Sequence, residues 1–504
     1  MVRLRSRGGR EASPGDARAQ GRRQRRRRRR WPWWTAAALV VLLVAAGAVT
    51  YRLDLLHPTP GHHPSAAPPP ARIPPPPGLT LPAPARSLPP VAAAASPVRA
   101  DPAAVRRAVD RLAASRKLGP HVVVRVAQLA DGRLLYRHGS GPVVPASTMK
   151  LLTMVAALAT LGPDHRFTTS VVATPQSPRI VLVGGGDPLL ARTPAGDGSY
   201  PHRADLDTLA ASTARALRAL GRHTVRLGYD ASLFAGPGVD RHWEPSYVPD
   251  DVVSPISALW VDEGRQRTGL AARTRTPARA AADVFARALE RRHIKVRGTP
   301  APAVAPTTAH GGRPVARVRS APLAEIVQHI VEVSDNEGAE VLAHQVAVAQ
   351  GRPATFAGAA VAVRHALGKL AISTAGDRIY DGSGLSRDDR LRADTLLSVI
   401  RTASADRHPD LRSAVADLPV AGFTGSLAAR FDTGDPLGLG RVRAKTGTLT
   451  GVHGLAGTVT TRDGAVLEFV AVADRVRPVN TLDARARLDE LAAALAGCAC
   501  RATP

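Results

Sequence analysis

Three short motifs in this chain hold residue types that could do chemistry together. The first, Ser147-Thr148-Met149-Lys150, sets a hydroxyl and a primary amine three positions apart, at the head of an apolar run through Leu151, Leu152, Val155 and Leu158. On a helix, positions i and i+3 share a face, so the amine stands beside the hydroxyl. If burial lowers the pKa of Lys150 enough to leave it partly neutral, it can take the proton of Ser147 and make a nucleophile without a histidine. Free N–H groups at the start of the helix suit a developing oxyanion. Taken alone, Ser-x-x-Lys is more often a helix cap followed by a solvated lysine. Composition changes the balance: of 68 Lys and Arg residues only five are lysine, namely Lys117, Lys150, Lys295, Lys369 and Lys445. Arginine serves for generic positive charge but cannot give up its proton. A lysine kept against such a bias is a candidate for chemistry, and two of the five lie in these motifs.

The other two motifs are Ser334-Asp335-Asn336 and Lys445-Thr446-Gly447. By itself the first is a turn or cap and the second an edge-strand position before a bulge. In this order along one chain, the three together are far more specific than any one of them.

The elements that must position these residues can be read from the rest of the sequence. The chain has 504 residues and a formal net charge of +27, of which residues 1–30, with 13 arginines against Glu11 and Asp16, supply a disproportionate share. The basic tail (1–32) runs directly into an uncharged apolar segment, Trp33 to Tyr51, long enough to span a bilayer. Arginine on its N-terminal side predicts a single-pass anchor over 33–52 with its N-terminus in the cytoplasm and the rest of the chain outside. A cleaved signal peptide competes, because Ala46-Gly47-Ala48 resembles a cleavage site. Topology explains the arginine run better than nucleic-acid binding does. Residues 53–102 are rich in Pro and Ala and predict an extended spacer.

The folded part is expected to open with a helix from Asp101-Pro102 to Lys117 and a hairpin turning at Asp131-Gly132, followed by the Ser147 helix. Residues 165–318 mix strands and helices and read as an inserted α/β domain. Helices then fall at about 320–333, entered through Ser320 and Pro322, and at 337–349, 354–367 and 394–403. An antiparallel meander (441–474) and a last helix (481–496) close the chain. The expectation is an α+β catalytic domain made of 103–164 and 319–504, whose first and last parts pair across the insertion.

The ordered motifs resemble those of the penicillin-recognising serine enzymes. The 187 positions from Ser147 to Ser334 resemble, among these, the D-alanyl-D-alanine carboxypeptidase/endopeptidase family of the penicillin-binding protein 4 type, which carries an extra domain between its first two motifs. LVGGGDPLL (182–190), the stretch from Trp243 through Tyr247 to Pro255, and DGSGLSR (381–387) are also similar. The chain departs from the family in a shorter insertion, and in WVDEGR (260–265) where an asparagine-rich segment is expected. The resemblance implies a β-lactamase/transpeptidase-like fold, an antiparallel sheet flanked by helices plus an all-helical part. It also implies a penicillin-sensitive hydrolase acting on peptidoglycan stem peptides through an acyl-serine. Ser147 would be the nucleophile and Lys150 its base, while Ser334 relays protons and Asn336 bonds the peptide. Lys445 and Thr446 would bind the terminal carboxylate, Gly447 would allow close approach of the substrate, and the N–H groups of Ser147 and Thr448 would form the oxyanion hole. A serine β-lactamase and a non-catalytic wall-peptide-binding protein are the alternatives.

Scattered histidines without paired metal-ligand spacing predict no metal, and no cofactor is implied. Cys498 and Cys500 stand one residue apart near the C-terminus and are expected to do nothing for the fold.

Overall fold

The computed structural model describes residues 98–502, apart from 175–176, 197, 268, 270 and 433–435. The basic tail, the apolar run and nearly all of the Pro/Ala-rich spacer lie outside the described residues. Among the described residues, no helix is long and apolar enough to cross a membrane.

Asp101 accepts the N–H groups of Ala103 and Ala104, and Pro102 supplies a pre-set φ, so helix α1 runs Pro102–Ala113. The expected continuation to Lys117 is corrected. The chain leaves α1 after Ala113, and Ser115 starts a separate turn by accepting the N–H of Lys117 on its hydroxyl. Strands β1 (Val122–Gln128) and β2 (Leu134–His138) pair antiparallel. A short 3-10 turn, Ala146–Met149, then leads into α2, Lys150–Leu161. Residues 150 to 158 of α2 are all buried. A helix that is apolar nearly all round belongs inside a core.

Between α2 and Leu323 the chain builds a second layer: β3 (Thr168–Ala173), β4 (Arg179–Val183), α3 (Leu206–Ala219), β5 (Thr224–Asp230), α4 (Pro277–Glu290), the short β6 (Lys295–Val296) and β7 (Ala301–Pro302), and β8 (Arg313–Arg319). The sheet order is β6-β5-β4-β3-β8, with β7 also on β5. It has its own core, in which Ile180 and Leu182 meet Leu209 and Leu217 of α3 and Phe285 and Leu289 of α4. The chain leaves and returns through one neck, where the N–H of Ser320 donates to Phe167 O and that of Leu323 to His165 O.

The return brings α5 (Leu323–Val333), α6 (Asn336–Ala349), α7 (Phe356–Lys369), α8 (Ala393–Ser404), strands β9 (Val442–Leu449), β10 (Val452–Thr460) and β11 (Val466–Ala473), and α9 (Thr481–Gly497). The five-stranded antiparallel sheet has the order β2-β1-β11-β10-β9, so β1 from the front of the chain pairs with β11 from the back, from Val122↔Ala473 to Gln128↔Leu467. Both faces are covered. Val470 and Val472 face a core with α2, α5, α6, α7 and α8, while Phe469 and Ala471 face α1 and α9. This two-sided burial explains the near-continuous apolar run of β11.

Cys498 and Cys500 form a disulfide and are buried in the α1/α9 core, and the Cys500 carbonyl accepts the N–H of Asp101 at the start of α1. The expectation that they do nothing for the fold is corrected: they fasten the end of the chain to its first helix.

Candidate active site

Each motif sits at a break in a regular element. Ser147 lies in the 3-10 turn just before α2, after Ala146, whose φ of 46° is in the left-handed region. Ser334 ends α5 with a φ of 62°, and Asp335 caps α6 by accepting the N–H of Gly338 at 3.0 Å. This reversal aims Ser334 and Asn336, two residues apart, into the same space. Lys445, Thr446 and Gly447 lie on β9 at the edge of the sheet.

The structure brings the motifs together in two linked pairs. Lys150 Nζ donates to Ser147 Oγ at 2.8 Å, to Asn336 Oδ1 at 2.7 Å and to the Ser383 carbonyl at 2.9 Å. Lys445 Nζ donates to Ser334 Oγ at 2.8 Å and to the Thr446 carbonyl at 3.2 Å. Both lysines are fully buried, whereas Ser147, Ser334 and Asn336 are partly exposed and Thr448 is exposed.

Burial pushes Lys150 down to about 8, against the opposing fields of Asp335, Asp381, Glu340 and Glu337. Asp335 and Glu340 are themselves held well above the ordinary carboxylate range, by burial first and then by neighbouring acids, so they support the ammonium weakly. Lys445 is held well below the ordinary lysine range by burial and, second, by the charge of Lys150. Desolvation, and not a second lysine, is therefore what brings the pKa of Lys150 into the working range.

The hydrogen-bond chemistry gives the neutral form a direction. The Ser383 carbonyl and Asn336 Oδ1 can only accept, so they hold two protons of Lys150 in place. When the third is lost, the lone pair points at Ser147 Oγ.

Several contributors were not assigned from sequence. Ser383 is held by Glu340, which accepts the N–H groups of Gly382 and Ser383; Glu340 stands one turn beyond Asn336 on α6. Asp381 accepts from Gly384 N, Ser386 N and Trp243 Nε1, and so ties the 381–387 loop to the stretch that begins at Trp243. Thr446 Oγ1 donates to Ser426 Oγ at 3.0 Å. The i,i+4 spacing of Asn336 and Glu340 was a usable signal for the first of these.

Gly447 also has a packing role. A β-carbon at 447 would lie 2.8 Å from the Pro145 carbonyl oxygen, so glycine here lets β9 approach the turn that carries Ser147. Gly384 presses on the same turn from the other side: its φ is 82°, and a β-carbon there would lie 1.8 Å from the Ala146 carbonyl oxygen. Gly384→Ala is expected to cost about 2 kcal/mol or more. It should lower the melting temperature by several degrees and slow acylation of Ser147; a wild-type melting curve and rate would refute this packing role.

Glu263, His329 and Asp335 bring metal-ligand atom types within 4.8 Å of one another. Guanidinium groups already fill the cationic places there: Arg265 is 2.9 Å and Arg203 3.7 Å from Glu263, and Arg203 Nη2 lies 3.3 Å from His329 Nε2. These positive groups disfavour a further cation.

Comparison with known proteins agrees with this arrangement. The family model described as "D-Ala-D-Ala carboxypeptidase 3 (S13) family" matches residues 105–272 and 265–495. Carboxypeptidase DacB of Mycolicibacterium smegmatis is 36% identical over 411 residues, covering 80% of this chain and 86% of that protein. Carboxypeptidase Rv3627c of Mycobacterium tuberculosis is 38% identical over 405 residues, covering 79% and 85%. The crystal structure of penicillin binding protein 4 (dacB) from Haemophilus influenzae has the same fold, with a TM-score of 0.62 at 22% identity over 77% of this chain and 97% of that one. With its ordered motifs converging on a partly exposed Ser147 bonded to the buried Lys150, the chain belongs to the D-Ala-D-Ala carboxypeptidase 3 (S13) family.

Proposed function

We infer that this protein is a penicillin-sensitive serine-type D-alanyl-D-alanine carboxypeptidase, with endopeptidase action on D-Ala cross-links open to the same site, working on peptidoglycan stem peptides. The observation that carries the reading is the 2.8 Å bond between a fully buried Lys150, with its pKa pushed down to about 8, and a partly exposed Ser147. Family membership and the names of the relatives support the substrate class.

In the reaction, neutral Lys150 takes the Ser147 proton as Oγ adds to the penultimate D-Ala carbonyl carbon. N–H groups of Ser147 and Thr448 receive the oxyanion. One proton of Lys445 is left for the terminal carboxylate, since its other two are spent on Ser334 and the Thr446 carbonyl. Ser334, accepting from Lys445, passes its own hydroxyl proton to the departing amine and is recharged with the proton that Lys150 took from Ser147, which leaves Lys150 neutral again for the water step. Asn336 keeps its amide NH₂ for a substrate carbonyl, because its oxygen faces Lys150. The C–N bond breaks to leave an ester on Ser147 and free D-alanine, and water then cleaves the ester to the shortened peptide.

The arginine-flanked apolar run at 33–52 supports a single-pass anchor that holds this site outside the cytoplasm, with 53–102 as a spacer. Mass spectrometry after incubation with benzylpenicillin tests the class: an adduct on the wild type and none on Ser147→Ala is expected. An adduct released within seconds would favour a β-lactamase. A stable adduct without D-alanine release from a D-Ala-D-Ala peptide would favour a wall-binding protein.

A further inference from the structure

A second cleft, of about 570 Å³, lies between the segment around Arg241, the amino end of α7 and residues 377–380. Its apolar lining combines the buried Phe356, Ala360 and Ile379 with the exposed Val361. Its rim carries Arg241, Arg364 and Arg378, each from a different segment. None of the three forms an ion pair among the described residues. Arg241 Nε donates to His242 Nε2 and Arg364 Nη1 to the Ile379 carbonyl, which leaves most of their N–H groups free. The two acids of the cleft are each held by hydrogen bonds, and Asp240 also lies in the field of Arg241. Asp377 accepts from Arg392 N at 2.8 Å and Thr395 Oγ1 at 2.8 Å, and the buried Asp240 accepts from His242 N at 2.7 Å. The amino end of the 14-residue α7 adds partial positive charge. The volume falls in the range of small-ligand sites.

We propose that this cleft is a second binding site, for the carboxylate-bearing part of a neighbouring peptidoglycan stem peptide. Separate guanidinium groups around an apolar lining match carboxylates spaced along a chain of small alkyl side chains, which a compact phosphate does not offer. The cleft also backs onto the catalytic loop. Tyr380 stacks on His242 with ring centroids 3.9 Å apart, and the next residue, Asp381, holds the loop whose Ser383 carbonyl orients Lys150. A peptidase that works on a network would thereby hold one stem while cutting another. The proposal rests on the peptidase reading above.

The test uses the full chain with Ser147 first acylated by benzylpenicillin, so that the catalytic pocket is filled. Titration calorimetry then follows binding of a disaccharide-tetrapeptide that has already lost its terminal D-alanine. Binding is expected, weakened about tenfold or more when the peptide carboxylates are amidated, and equally in the Arg241→Glu/Arg378→Glu double variant. Val361→Trp, which narrows the cleft without changing charge, should do the same. Both variants should be acylated by benzylpenicillin within about twofold of the wild-type rate, since neither touches the Ser147 pocket. No binding to the acylated chain, equal binding by either variant, equal binding of the amidated peptide, or stronger binding of a glycerol-phosphate polymer would each overturn the proposal. So would a variant whose acylation falls along with its binding. Failure of the wild type to take up penicillin is a separate signal, and it would sink the peptidase reading instead.

Discussion

Lys150→Arg is expected to slow acylation of Ser147 by about 10³-fold, for benzylpenicillin and for a D-Ala-D-Ala peptide alike, although it preserves the positive charge. Lys150 is fully buried, and its pKa is pushed down to about 8, so a minor but useful fraction is neutral near neutral pH. A guanidinium has no such fraction. The sign of the pH dependence follows: the active form is the deprotonated one, so the wild-type acylation rate should climb as pH rises through about 8 and then level off. In Lys150→Arg that climb should vanish along with the rate. Stopped-flow acylation by a fluorescent penicillin between pH 6 and 10 measures both. A variant within about tenfold of wild type, or a wild-type profile flat across this range, would remove Lys150 from the role of base.

What could be read from sequence and what could not divide along a physical line. Local patterns carried the elements: Asp101-Pro102 opens α1, and Asp131-Gly132 lies in the β1–β2 connection. The pairing of β1 with β11 was accessible because a hairpin at the front of the folded part and a meander at its back each leave an apolar edge to be covered. The site motifs were legible because chemistry demands lysine where the composition disfavours it. What escaped was whatever depends on a backbone atom or on a distant contact. The Ser383 carbonyl that orients Lys150 belongs to a residue whose side chain says nothing about that task. Gly447 and Gly384 both leave room for the turn carrying Ser147, a contact between distant segments that no local pattern announces. The lowered pKa of Lys150 was anticipated as an effect of burial, and burial dominates it; the charge of one lysine on the other is felt at Lys445. Residues 98–102 are the only part of the spacer that the structure describes, so the anchor and the rest of the spacer stand on their sequence alone.

Lys445→Ala should separate recognition from chemistry. The side chain is fully buried, and its Nζ is held by Ser334 Oγ and the Thr446 carbonyl, with one proton left to point into the site. A buried ammonium that meets a carboxylate loses about 2–5 kcal/mol of interaction when truncated, which for a peptide with a free terminal carboxylate is roughly a 100-fold or greater fall in kcat/KM. The same peptide with its terminus amidated has no charge to lose and should fall much less. The ratio of the two substrates, large in the wild type, should therefore collapse toward unity in the variant. Removing Lys445 also deprives Ser334 of its donor, so some loss common to both substrates is expected; comparison with Ser334→Ala isolates that share, and the ratio should survive in Ser334→Ala while it collapses in Lys445→Ala. If both substrates fell equally in Lys445→Ala, the lysine would act only by holding Ser334, and the selectivity for a free terminus would have to come from another cation.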